Sequence, residues 1–380
     1  MTSIVDNRTW KRNQSSYINK EDDSFSVCFN IYKLKYMTYD ETLDNLHGFL
    51  NPNDHVNVFI NLESVFNTMT AIRDCGKKVM FEPSFPKVTV SNILNLAAHY
   101  KRFFRGNHLE TKVFLYYTDF DSIEFNESSI NEDFRSYYLN KFNLNPRVSP
   151  MSSKFISESL PEARQICEFI PNVYIISSHN VDASVVPLII ANIDKTAKNL
   201  VISGDFIDTQ YTFEDQFCCH YIRKTYMHNH LSYTLEGHLS EFFGRKAEPI
   251  EYASIKNVSM YNCVLSAIGD KSRSIDPMKT VGAITMTRKL KSALEKQIIT
   301  PTTSSVELLS TMFNDQLQYK EQLIENFNQI SIKDMFARLT SKQKFSITSQ
   351  MIDRIDTNSL LKLNNTRFSD CPLMLEELTM

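Results

Sequence analysis

The chain has 380 residues, with 41 Lys and Arg against 44 Asp and Glu and a formal net charge of -3. At 42% hydrophobic and 22% charged it has a globular composition and the length for about two domains with a large core, which excludes a disordered tail or a membrane bundle. Only eight glycines are present, with no GxGxxG or GxxxxGK(S/T) pattern. A Gly-rich nucleotide cradle is therefore excluded, and near-neutral charge excludes a nucleic-acid coat over the whole surface while leaving room for a local basic patch.

The first residues are polar and lack the apolar core of a signal peptide, and the longest apolar run, Val185 to Ala191, is far short of a membrane span. Seven cysteines, scattered apart from Cys218-Cys219, fit reduced thiols in a cytosol-like compartment. The expected location is cytoplasmic, with no membrane contact.

In chain order, Ser26 to Leu34 reads as a possible strand within a polar N-terminal extension, residues 1–50. After the Asn51-Pro52-Asn53-Asp54 turn, His55 to Asn61 is a β-rich run, and Leu94 to Arg105 carries the spacing of an amphipathic helix. Thr111 to Tyr117 is a continuous apolar strand. Ser157 to Phe169 predicts a helix, Val173 to Ile176 a strand, Ser184 to Ala191 a helix and Asn199 to Ile202 a strand. Beyond about residue 255 the pattern is helical, at 258–268, 284–297 and 305–326, then in shorter pieces. Short buried strands alternating with helices make this an α/β protein with a mostly parallel central sheet flanked by helices. The expected division is an α/β domain over 51–255 and a helical C-terminal subdomain over 256–380.

In a parallel sheet, ligands gather beyond the carboxyl ends of the strands. Those ends carry Asn61-Leu62-Glu63, Thr118-Asp119-Phe120-Asp121, Ser178-His179-Asn180-Val181-Asp182 and Ser203-Gly204-Asp205 through Gln210. Acidic groups converging there are what a divalent-cation phosphodiester site requires, because hard cations take carboxylate oxygens. The plainer alternative is that polar residues stand where loops begin.

Four segments resemble those of the structure-specific 5′-nucleases, a PIN-like superfamily that includes flap endonucleases, polymerase-linked 5′-exonucleases and the bacteriophage RNase H type. Val201-Ile202-Ser203-Gly204-Asp205-Phe206-Ile207-Asp208-Thr209-Gln210 resembles the family's apolar-Ser-x-Asp-x-Asp-x-x-Gln strand end. Gly269-Asp270-Lys271-Ser272-Arg273 is similar to its Gly-Asp-x-x-Asp opening of a DNA-gripping helical motif. Phe134 to Lys141, with Arg135, Tyr138 and Lys141, resembles the stretch leading into the arch that single strands thread, and Glu321 to Ile332 falls where phage members carry a similar helix. The likeness spans roughly residues 55–355.

The resemblance implies a two-metal site using Mg²⁺ or Mn²⁺, yet its ligand positions fall on Asn61, on Thr118 beside Asp119, near His179 to Ala183, on Asp205, on Ile207 and on Arg273. Only Asp182 and Asp205 carry over. Asn61 removes a negative charge, Ile207 offers no oxygen, and Arg273 brings a positive charge towards a cation. Asp182, Asp205 and Asp208 remain the catalytic candidates. Asp182, Asp205 and Asp119 are the metal-ligand candidates, with Glu63 and Asp121 as further substitutes.

Two other clusters matter. Cys218, Cys219, His220, His228, His230 and His238 are zinc-type donors without the usual paired spacing, and are expected to be ordinary residues of a loop-rich insertion. Lys271, Arg273, Lys279, Arg288, Lys289, Lys291 and Lys296 face only Asp276 and Glu295, a net of +5, and form the candidate nucleic-acid surface. Asp119 to Asp133 holds six acids and no Lys or Arg, which would repel a threaded strand. Tyr116, Tyr117 and Tyr138 could stack bases, though buried packing is the cheaper explanation.

The favoured reading is a catalytically degenerate, phage-encoded nuclease-like protein that binds duplex or junction nucleic acid without efficient cleavage and holds no cofactor. The alternatives are an active Mg²⁺- or Mn²⁺-dependent 5′-nuclease with displaced carboxylates, and a virion or accessory protein with a viral protein partner that reuses the fold.

Overall fold

The structure, a computed structural model, describes residues 49–50, 54–62, 97, 100–101, 104, 110–119, 161, 163–165, 167, 170–179, 181–224, 229–232, 235–243, 248–270, 275–314 and 316–351. The expected strand Ser26 to Leu34 and the arch-like Arg135, Tyr138 and Lys141 lie outside them, as do Lys271 and Arg273. Among the described residues six strands form one sheet: β1 (His55–Asn61), β2 (Glu110–Asp119), β3 (Val173–His179), β4 (Lys198–Ser203), β5 (Phe217–Lys224) and β6 (Asn229–Ser232). Their spatial order is β3-β2-β1-β4-β5-β6, with only the β5–β6 pair antiparallel.

Alternation along each strand divides the sheet into two buried faces. On one, Phe59, Phe114 and Tyr174 stand in register and stack at centroid distances of 5.0 and 5.1 Å. This face shares a core with the helices that follow: α1 (Val186–Ala191), α4 (Val258–Ile268), α5 (Ala283–Glu295), α6 (Ser305–Met312) and α7 (Leu317–Ile330). Val58, Ile60, Val113, Leu115, Val173, Ile175, Leu200 and Ile202 fill the other face and are also buried, as are the helical residues Ala97, Phe104, Ala163 and Cys167. Both faces being apolar explains why the strands read as continuous hydrophobic runs.

The helix expected over 305–326 is two helices, α6 and α7. The chain turns where Phe313, wholly buried, ends α6 and the Gln316 N–H bonds the Phe313 carbonyl at 3.0 Å. The stretch expected to be a loop-rich insertion is the β5–β6 hairpin followed by α2 (Leu235–Phe243) and α3 (Pro249–Tyr252). Phe217, Cys219 and Tyr221 alternate onto one buried face, a two-residue period masked in the sequence by Cys218 and His220 between them. Among the described residues no three His, Cys, Asp or Glu side chains come together as metal ligands.

Two glutamines fasten the helices to the sheet. α8 (Ile332–Arg338) and α9 (Ser341–Thr348) end the described chain, and Gln350 follows α9. The Gln350 carboxamide accepts the Ser177 N–H at 2.9 Å and donates to the Ser177 carbonyl at 2.8 Å, so one side chain pairs with the edge strand β3 as a neighbouring strand would. Ser177 Oγ donates to the same Gln350 oxygen at 3.0 Å and accepts from Arg164 at 3.0 Å. Gln210 plays the matching part beyond β4, donating to the carbonyls of Ile207 (3.0 Å) and Ile330 (2.8 Å) and accepting from the Ile332 N–H (3.3 Å).

Gln350→Ala leaves the Ser177 main-chain pair without its partner on the sheet edge. The expected cost is about 1–3 kcal/mol, read as a lower urea midpoint at unchanged slope.

Burial, with the His238 imidazole nearby, pushes the fully buried His220 from its ordinary 6.5 down to about 3. The unfolded chain therefore binds this proton between about pH 6.5 and 3 while the folded one does not. Stability from this group is intact above that window and falls on acidification by at most about 1.4 kcal/mol per pH unit. Urea titrations of His220→Phe at several pH values are expected to show a shallower acid slope than wild type.

Candidate functional site

The order of the strands places the site. β2 and β3 add to one side of β1, and β4 returns to the other, so connections leave in opposite directions between β1 and β4. Such a switch point opens a crevice at the carboxyl ends of the two strands, here Asn61 and Ser203.

Asp208 fills that crevice. It lies in the first turn of the 3₁₀ helix Ile207–Phe213 and is wholly buried. Its Oδ2 accepts a hydrogen bond from Asn61 Nδ2 at 2.9 Å and one from the Tyr116 hydroxyl at 3.1 Å. Both bonds reach the same oxygen, with the Asn61 amide presenting its N–H edge to Asp208. Burial, and then the Asp208 charge, hold Tyr116 well above the ordinary phenol range, so it stays protonated and keeps donating. Tyr211 is raised by the same two causes in the same order, as is the Cys219 thiol behind them. Three neutral groups thus surround one carboxylate.

The remaining acids serve local turns. Asp182, 4% exposed, caps the 3₁₀ turn Ala183–Val185 by accepting from the Ser184 N–H at 2.9 Å. Thr118, at the end of β2, accepts from the Ala183 N–H at 3.2 Å, and Tyr211 donates to the Ser184 carbonyl at 2.6 Å. Asp205 is half-buried: Ser203 Oγ accepts its N–H at 3.0 Å, and its Oδ1 accepts from the Ile207 N–H at 3.0 Å. Asp182 thus stands beyond the end of β3, and Asp205 and Asp208 beyond the end of β4, each in hydrogen bonds of its own. Asp119 stands at the end of β2 in register with His179, one strand further from the switch point.

The register matters. The motif position expected to carry a second acid falls on Ile207, buried in the core, yet Asp208 one residue later reaches the crevice because a 3₁₀ turn, not an extended strand, follows Phe206. The donor role of Tyr116 towards Asp208 is not legible in the sequence, where it stands as one more aromatic in an apolar run. Tyr116 and Tyr117 are buried, so neither presents a face for base stacking.

Gly269 ends α4 at φ +63°, where an added Cβ would lie 2.5 Å from the Ile275 carbonyl oxygen. Asp270 and Ile275 then exchange both main-chain hydrogen bonds at 2.9 Å, closing a tight loop between α4 and α5. On α5 the inward stripe is Ala283, Met286, Thr287, Leu290 and Ala293. Arg288 and Lys291 point outward and are exposed, as is Lys279 just before the helix. Lys291 approaches Glu295 at only 3.9 Å, while Lys289 turns inward and sits 4.6 Å over the Phe313 ring. Lys289, expected on the phosphate-facing surface, is thus drawn out of it by a cation–π contact.

No protein-family model matches this chain, and no characterised protein sequence does. Among solved structures, it is similar to a bacteriophage T5 flap endonuclease in a pseudo-enzyme–product complex with DNA and metal ions, at 14% identity and a TM-score of 0.44, over 77% of this chain and 97% of that one. A bacteriophage T5 5′-exonuclease with bound zinc is similar at 13% identity and a TM-score of 0.45, with the same coverage. A bacteriophage T5 protein co-crystallised with metal ions gives 14% and 0.45.

Proposed function

We propose that this is a nuclease-fold protein, phage-encoded, that binds duplex or junction nucleic acid without cleaving it efficiently. The observation that carries the reading is the Asn61 amide against Asp208 at the switch point. A two-cation phosphodiester site needs several carboxylates converging with oxygens open to metal. Here the β1 position is a neutral donor, its N–H edge engages the nearest carboxylate, and Tyr116 engages the same oxygen. Asp182 and Asp205 each turn an oxygen to a main-chain N–H. These residues do not fit a pair of Mg²⁺ or Mn²⁺ ions.

The binding half of the reading rests on the outward face of α5. Arg288, Lys291 and Lys279 are exposed and can meet phosphates in a salt-dependent way. A second reading, an active nuclease with displaced carboxylates, draws on Asp208 reaching the crevice from one position beyond the motif.

Labelled duplex and flap DNA, incubated with the protein in Mn²⁺ and read for both mobility shift and cleavage, separates the readings. The expected result is a salt-sensitive shift without cleavage. Arg288→Ala combined with Lys291→Ala is expected to lower the log–log salt slope by roughly 2. Cleavage abolished by Asp208→Asn would establish the second reading, and neither shift nor cleavage would leave a scaffold protein.

Asn61→Asp sets a second carboxylate against Asp208. Its melting temperature is expected to drop in chelator and to recover with millimolar Mn²⁺, while wild type does not respond to the ion.

A further inference from the structure

We infer that the α8–α9 hairpin is a stacking platform for an unpaired base of single-stranded nucleic acid, with Phe345 as the stacking ring and Lys342 as its phosphate contact. The inference rests on the nucleic-acid reading above but uses a surface separate from α5. Phe345 is 71% exposed on α9, the most exposed of the large apolar side chains described. A ring left in water forgoes the stabilisation that burial would give; single exposed apolar residues are common, and it is the charged surroundings of this ring that set it apart.

Its surroundings identify the ligand. Residues 332–348 contain Lys333, Arg338, Lys342 and Lys344 against Asp334 alone, a net of +3. Asp334 is occupied by the Ser331 hydroxyl at the start of α8. Lys342 lies three residues before Phe345, on the same helix face, with Ser341 and Ser349 exposed beside it. Among the described residues Lys342 has no ion-pair partner. A protein-docking site would surround the ring with apolar neighbours. This ring instead stands among lysines and hydroxyls, the combination that tracks a phosphate backbone while bases stack. Duplex DNA keeps its base faces stacked on one another, so a lone ring selects an unpaired strand.

The platform is rigid and well placed. Lys333 bonds Glu214 at 2.6 Å, Arg338 donates to the Asn328 carbonyl at 2.8 Å, and Lys344 sits 3.9 Å over the Phe336 ring. α8 packs against the turn Ala183–Val185, which Asp182 caps, and against Ile207–Phe213, which contains Asp208, and α9 packs against β3 and α1. Phe345 is therefore carried by a helix anchored on the edge strand β3.

The test uses the full chain, a fluorescein-labelled oligo-dT and a blunt duplex, followed by anisotropy. Phe345→Ala, expected to melt as wild type does because the ring is exposed, should weaken oligo-dT binding roughly 5- to 150-fold and leave duplex binding unchanged. Lys342→Ala should reduce the single-strand salt slope by about 0.7. In Phe345→Trp, oligo-dT should quench the new tryptophan fluorescence beyond any change in wild type, which contains one Trp. Unchanged oligo-dT affinity in Phe345→Ala, or oligo-dT binding without quenching in Phe345→Trp, would overturn the platform and leave the ring to a protein partner. Duplex binding with no oligo-dT binding sinks the platform alone. Loss of both in wild type sinks the nucleic-acid reading with it.

Discussion

A carboxylate with no exposure to water must be answered by donors, and the way Asp208 is answered organises the whole crevice. Asn61 reaches it from β1 and Tyr116 from β2, while its own 3₁₀ helix descends from β4. Three neighbouring segments of the sheet thus meet on one oxygen. Removing one partner of such a group leaves a desolvated charge short of a donor, which is far costlier than the bond itself is worth. The same bonds that stabilise the strand ends also occupy the place where a cation-binding protein would keep oxygens open. On the proposed reading, the stability of the strand ends and the poor fit of the crevice to a pair of cations follow from one interaction.

From that point the helical half is fixed by side-chain amides. Gln210 joins the Asp208 helix to the junction of α7 and α8, and Gln350 joins the end of α9 to β3. A carboxamide offers a donor and an acceptor in the geometry of a peptide group, so it can close a chain break or a sheet edge without adding charge. Gln210 belongs to the strand-end motif read from the sequence, which gave it no separate role. Its contacts are with main-chain groups, and it positions helices. The exposed face of the α8–α9 hairpin is held in place by these contacts.

Much of the architecture was legible in the residues. His55 to Asn61, the run at 111–117, Val173 to Ile176 and Asn199 to Ile202 all appear as strands, and 258–268 is a helix with the expected bounds. Runs buried on both faces leave a strong signal because every position must be apolar. The β5–β6 hairpin left a weak one, since buried His220 and half-buried Cys218 interrupt its pattern. The break at Phe313 was hidden because a large apolar residue there suits a continuing helix as well as its end.

The sequence by itself determined the alternation of strands and helices, the neutral residue at Asn61 and the basic stretch after Gly269. These depend on residue type and local period alone. Only the tertiary structure decided that Asp208 and not residue 207 enters the crevice, that Tyr116 and Asn61 answer it, and that Lys289 turns away onto Phe313. Each of those outcomes is set by the angle at which a turn leaves its strand and by partners far away in the chain, some 147 residues apart in the case of Asn61 and Asp208. No local pattern encodes that distance; packing does.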